Sequence, residues 1–115
     1  MKVNSKMFTF TMNDRLWGIE KVSQDALLEL NPHIKKGEGF VFGTTCFERQ
    51  MIYLYDDLSA EQLDKTLLHE LMHCYVGSYI SFQNLEYSEE LLCDISANSH
   101  DIIHDIVTKY WEVAE

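Results

Sequence analysis

Alternation is the first signal along the chain. Over residues 6–12, Phe8, Phe10 and Met12 alternate with Thr9 and Thr11, the period of a half-buried strand. Asn13-Asp14 makes a turn, and Leu16-Trp17-Gly18-Ile19 returns as a second strand. Ser23 is placed to cap a short helix over residues 25–30, with Asp25 at its positive end, and Asn31-Pro32 stops it. Residues 40–46 are rich in strand formers, with Gly43 in position for a bulge. Residues 47–50 then turn the chain into Met51-Ile52-Tyr53-Leu54-Tyr55, a further strand that Asp56-Asp57 ends. The front half is therefore expected to be a small, mostly antiparallel sheet of three or four strands.

At Ser59 the period becomes helical. Ser59 and Gln62 form a capping box, Glu61 adds negative charge to the first turn, and Leu63, Leu67, Leu71 and Cys74 or Tyr75 make the apolar stripe. Gly77 predicts the end of this helix, and a polar link over residues 78–87 follows. Ser88 is a candidate cap for a second helix from Glu89 to about Val113, burying Leu91, Leu92, Ile95, Ile102, Ile103, Ile106 and Tyr110. Strands first and helices after predict an α+β fold, with residues 1–115 as one domain.

Composition narrows the classes. Apolar residues at 46% and aromatics at 12% support a packed core. There is no signal-peptide pattern and no membrane-length apolar run. Cys46, Cys74 and Cys93, odd in number and without pair spacing, read as apolar fillers in a reducing cytosol. A net charge of −10 repels phosphate backbones, so nucleic acid is not an expected partner, and without a membrane-length run neither is a membrane.

The chemistry concentrates in His69-Glu70-Leu71-Met72-His73. Helix positions four apart differ by about 40° in azimuth, so both imidazoles leave one face and can share a metal. Zinc suits the pair, and Glu70 beside it is the candidate base for a metal-activated water, as in H-E-x-x-H peptidases. A third ligand is then required. Val76 and Tyr79 stand where the metzincin pattern needs glycine and histidine, which excludes that pattern. Glu90 on the second helix is the preferred candidate, with Asp94 one turn on to accept an imidazole N–H. Taken alone, Glu89 and Glu90 also suit plain first-turn charge. His100 and His104 repeat the four-residue spacing, but about 15 Å of helix separates them from Glu90, and with Asp101 and Asp105 they read as a solvated face.

Tyr-Leu-Tyr-Asp-Asp-Leu-Ser, then Thr66-Leu67-Leu68-His69-Glu70-Leu71-Met72-His73, then Glu89-Glu90 with Asp94 and Ala97-Asn98, resembles the gluzincin clan of metallopeptidases. More closely, it is similar to the small phage- and prophage-type minigluzincins, related to ImmA/IrrE-type peptidases, over roughly residues 40–106. The resemblance implies a zincin-like fold in which the last strand before the active helix borders the substrate cleft. It implies zinc on His69, His73 and Glu90, Glu70 as catalytic acid/base, and Asp94 supporting a histidine. The expected function is zinc-dependent endopeptidase hydrolysis in the cytoplasm, with an extended peptide or protein substrate along Met51–Tyr55. The alternative is a zinc-stabilised phage accessory or regulatory binding protein with little catalysis. Family members also use a Tyr or His to stabilise the oxyanion, and Tyr75, Tyr79, Tyr87, His100 and His104 are the candidates.

Overall fold

The structure, a computed structural model, describes residues 7–34, 39–80 and 89–113, the side chains of 89–92 excepted. The elements run β1 (Phe8–Met12), β2 (Arg15–Val22), α1 (Gln24–Leu30), β3 (Gly43–Cys46), β4 (Met51–Tyr55), α2 (Ala60–Tyr75), a π-helical segment (Val76–Ile80) and α3 (Glu89–Val113). The α+β expectation holds.

The four strands lie in the order β1-β2-β4-β3. β1 and β2 are an antiparallel hairpin closed by Asn13 (φ 53°) and Asp14 (φ 64°). Two successive left-handed residues are what a tight hairpin turn requires, and Asn and Asp tolerate that region. β2, however, runs parallel to β4, while β3 pairs antiparallel with β4. The sheet is therefore mixed: two of its three pairings are antiparallel, as the mostly antiparallel expectation has it, and the β2–β4 pair is parallel. A parallel pair needs a long crossover, and the stretch carrying α1 and β3 supplies it. Gly43 opens β3 in register with Leu54, so it is the first residue of a short strand and not a bulge.

Side-chain alternation divides the core between the two sheet faces. Phe10, Met12, Trp17, Ile19, Ile52 and Leu54 pack with Leu63, Leu67 and Leu71 of α2 and Ile95, Ile103, Ile106 and Tyr110 of α3. On the opposite face, Leu27 of α1 packs with Val41 and Tyr53. Ser23 caps α1 by accepting from the Ala26 N–H at 3.2 Å. Both halves of the Ser59–Gln62 capping box are present, so α2 starts where its sequence says.

α2 does not stop at Gly77. The chain stays helical, with wider turns, to Ile80. A Cβ on Gly77 would overlap the Phe47 ring, so this glycine answers a packing need and not a stop signal. The expected Ser88 cap falls outside the described residues. Among the described residues, no helix is long and apolar enough to cross a membrane. Cys74 is a buried filler as expected, and Cys46 is partly buried. Cys93 is exposed, because its position on α3 faces away from the stripe of Ile95, Ile103 and Ile106.

Candidate metal centre

Four-residue spacing on α2 projects His69 and His73 from its exposed face. Their Nε2 atoms lie 3.2 Å apart, with ring centroids at 4.8 Å and planes inclined by 79°. Two nitrogens on one tetrahedral zinc, each about 2.0–2.1 Å from it, stand about 3.3 Å apart. The observed separation fits that edge of a tetrahedron, so the pair is shaped to hold such an ion. A shared N–H···N bond between neutral rings also suits the distance.

Glu70 is turned about 100° round α2 from His69 and points at β3, where it is only 5% exposed. Thr45 Oγ–H donates to Glu70 Oε1 at 2.5 Å. Close approach of β3 makes this contact possible. A Cβ on Gly43 would come within 2.8 Å of Thr66 Cγ2 and 3.3 Å of Glu70 Cγ.

β3 also forms one edge of the sheet, whereas β4 lies between β2 and β3. That relocates the expected substrate strand, since Met51–Tyr55 has both sides paired and cannot accept another chain. Because the Tyr55 N–H donates to Phe42 O, ladder bonds fall on alternate residues of β3. Gly43 and Thr45 consequently direct their N–H and C=O groups outward. A cleft of about 470 Å³ wraps this edge, with Thr66, His69 and Glu70 on one wall and Asn31, Ile34, Phe40 and Phe42 on the other. Phe40 stacks edge-on with both Phe42 and Tyr55, at centroid distances of 5.2 and 5.1 Å. Sequence reasoning missed Thr45, Thr66 and these phenylalanines as site residues, because their place depends on which strand is the edge.

The described residues hold no group of three or more His, Cys, Asp or Glu side chains arranged for one metal. Asp94 is exposed, and the partner described for each imidazole of the pair is the other imidazole. The Glu89 and Glu90 side chains lie outside the described ones, as does Tyr87. Backbone geometry still bears on Glu90. Trp111 Nε1–H donates to Asp64 Oδ1 at 2.9 Å, tying the end of α3 to the first half of α2. From that tie, His73 is nine residues, about 14 Å, along α2, and Glu90 is 21 residues, about 31 Å, back along α3. A shell of His69, His73 and Glu90 would therefore join the first turn of α3 to the second half of α2, far from the Trp111–Asp64 tie.

Cys74, next to His73 in sequence, is buried, and burial together with the Glu70 charge pushes its thiol up to about 12. Its sulfur belongs to the packed core, with Leu67, Leu71 and Tyr75. Tyr75 is buried in the core, its pKa raised by burial and by Tyr79, whose ring lies 4.9 Å away. His100 and His104 are exposed on α3. No family model matches the chain, and no curated protein or solved structure gives a significant match.

Proposed function

We propose that the protein is a zinc-dependent peptidase of gluzincin type. The observation carrying this reading is the convergence of His69 and His73 Nε2 at 3.2 Å, beside a buried glutamate and an open strand edge. His69 and His73 would hold the metal, with Glu90 as proposed third ligand and Asp94 as proposed support for an imidazole. Zinc, if bound there, would supply Lewis-acid polarisation of the scissile carbonyl and would lower the pKa of a bound water to about 7. Glu70 takes the proton from the attacking water and passes it to the leaving amine. The substrate backbone adds to the free edge of β3 at Gly43 and Thr45, which fixes the scissile bond against Glu70. A substrate side chain enters the cleft toward Phe40 and Phe42.

Glu70→Gln keeps the residue's shape and removes the base. The variant is expected to retain zinc and lose peptide turnover by about 10²-fold or more in a peptide-library assay. Activity that survives the change removes Glu70 from the mechanism. The second reading, a metal-stabilised binding or regulatory module, is supported by one observation: among the described residues, no group of three or more His, Cys, Asp or Glu side chains is arranged for one metal. Zinc uptake with no cleavage anywhere in the library would favour that reading.

A further inference from the structure

One hydroxyl on the edge strand hydrogen-bonds the helix that bears the histidines. Thr45 Oγ1 lies 2.5 Å from Glu70 Oε1 and 3.3 Å from Glu70 O. One hydroxyl has one proton to give, and the short contact to a charged acceptor takes it. Thr45 faces Ile52 in the register, with Oγ1 against α2 and its main-chain groups on the open edge. Among the described residues, it is the one hydrogen-bond donor to the Glu70 carboxylate. A glutamate side chain has several torsions to settle, and a nearly buried carboxylate deprived of its donor is costly.

We propose that Thr45 is a positioning residue. Its hydroxyl holds the Glu70 carboxylate in one orientation, and its main chain registers an incoming peptide against that same carboxylate. The consequence for turnover rests on the peptidase reading above; the hold on Glu70 does not. Thr45→Val keeps shape and strand propensity while removing the donor, and Thr45→Ser keeps the donor.

Two measurements test this, the first on metal-free protein without substrate. In a double-mutant cycle of Thr45→Val and Glu70→Met, read by urea unfolding, Thr45→Val is expected to raise the unfolding equilibrium constant about ten-fold or more when Glu70 is present. In the Glu70→Met background, which has no carboxylate to hold, the same change should have little effect. Additive effects overturn the proposal. The second is steady-state kinetics on zinc-loaded protein. Thr45→Val should lower kcat about 10- to 100-fold with KM within about two-fold, and Thr45→Ser should recover most of the loss. An unchanged kcat, or failure of Ser to rescue, also overturns it. If wild type cleaves nothing while the cycle shows coupling, Thr45 still positions Glu70 and the peptidase reading alone falls.

Discussion

Two histidine pairs in this chain share one spacing and differ in everything else. His69 and His73 meet at 4.8 Å with planes at 79°, and their Nε2 atoms converge to 3.2 Å. His100 and His104 lie 5.6 Å apart and nearly parallel, at 5°, with His100 Nδ1 turned to Asp101 Oδ1 at 3.4 Å. Beside the first pair stands a strand edge, a buried glutamate and a cleft. The second has exposed Asp101 and Asp105, the latter paired with Lys109 at 3.1 Å. Four-residue spacing on a helix creates the opportunity for a metal. What is packed against the helix decides whether it becomes a site.

The comparison breaks most directly by removing each pair in turn. His69→Ala with His73→Ala is expected to lower zinc affinity by about 10³-fold or more, since it deletes both imidazole ligands. His100→Ala with His104→Ala should change it by no more than about two-fold, the effect of a nearby exposed charge. Competition against a chromogenic chelator reads both. If the α3 pair carries the zinc, ring geometry is no guide here.

The acids at the start of α3 sharpen the same comparison. Glu90→Ala should collapse zinc affinity, Asp94→Ala should cost about 10–100-fold, and Glu89→Ala should cost about a few tenths of a kcal/mol at most. The ranking follows from helix phase, because Glu89 is rotated about 100° from Glu90. A Glu89 variant weaker in zinc than the Glu90 variant would shift the phase by one residue. Equal, undiminished affinity in all three would mean that α3 supplies no ligand to the histidines.

Much of this was legible in the sequence, for local reasons. The Ser59–Gln62 box, the β1–β2 hairpin and the β4 strand depend on neighbouring residues, and alternation or cap chemistry reports them directly. Glu70 beside two histidines is legible in the same way. Strand order is not. Alternation records which residues face a core, and β4 reads the same whether it is an edge or lies between β2 and β3. Reading β4 as the edge hid Thr45 on β3. Thr44 and Thr45 look alike in sequence, yet one hydroxyl meets Asn31 and the other Glu70. Only the parity of β3 against α2 separates them.

Gly43 tests how far the first pair depends on that strand. Its absent Cβ lets β3 approach Thr66 and Glu70, and Tyr53 O lies 3.1 Å from the same point. Backbone on one side and a buried threonine on the other leave little room to yield. Gly43→Ala is therefore expected to destabilise the fold by about 1–3 kcal/mol. It should also reduce turnover while leaving zinc affinity nearly unchanged, because the partner described for each imidazole is the other imidazole and not a β3 residue. Zinc affinity that falls with stability would tie the pair to the strand more closely than the comparison allows. Urea melts with parallel chelator titrations distinguish the two.

The smallest expected effect comes from the bolt that holds the second pair's helix to the first. Trp111→Phe keeps an aromatic ring in place and removes the indole N–H that Asp64 Oδ1 accepts at 2.9 Å. Both residues are half-buried, so water partly replaces the lost bond and the expected cost is about 1 kcal/mol. Zinc affinity decides what that cost means. If α3 brings Glu90 to His69 and His73, its far end anchors the helix that carries that ligand. Loosening Trp111 should then weaken zinc binding measurably, by about two- to five-fold, the factor that about 1 kcal/mol allows. If the two histidines bind zinc without α3, the melt shifts and the affinity stays where it was. The second result would confine the metal site to α2 and β3, and make α3 packing alone.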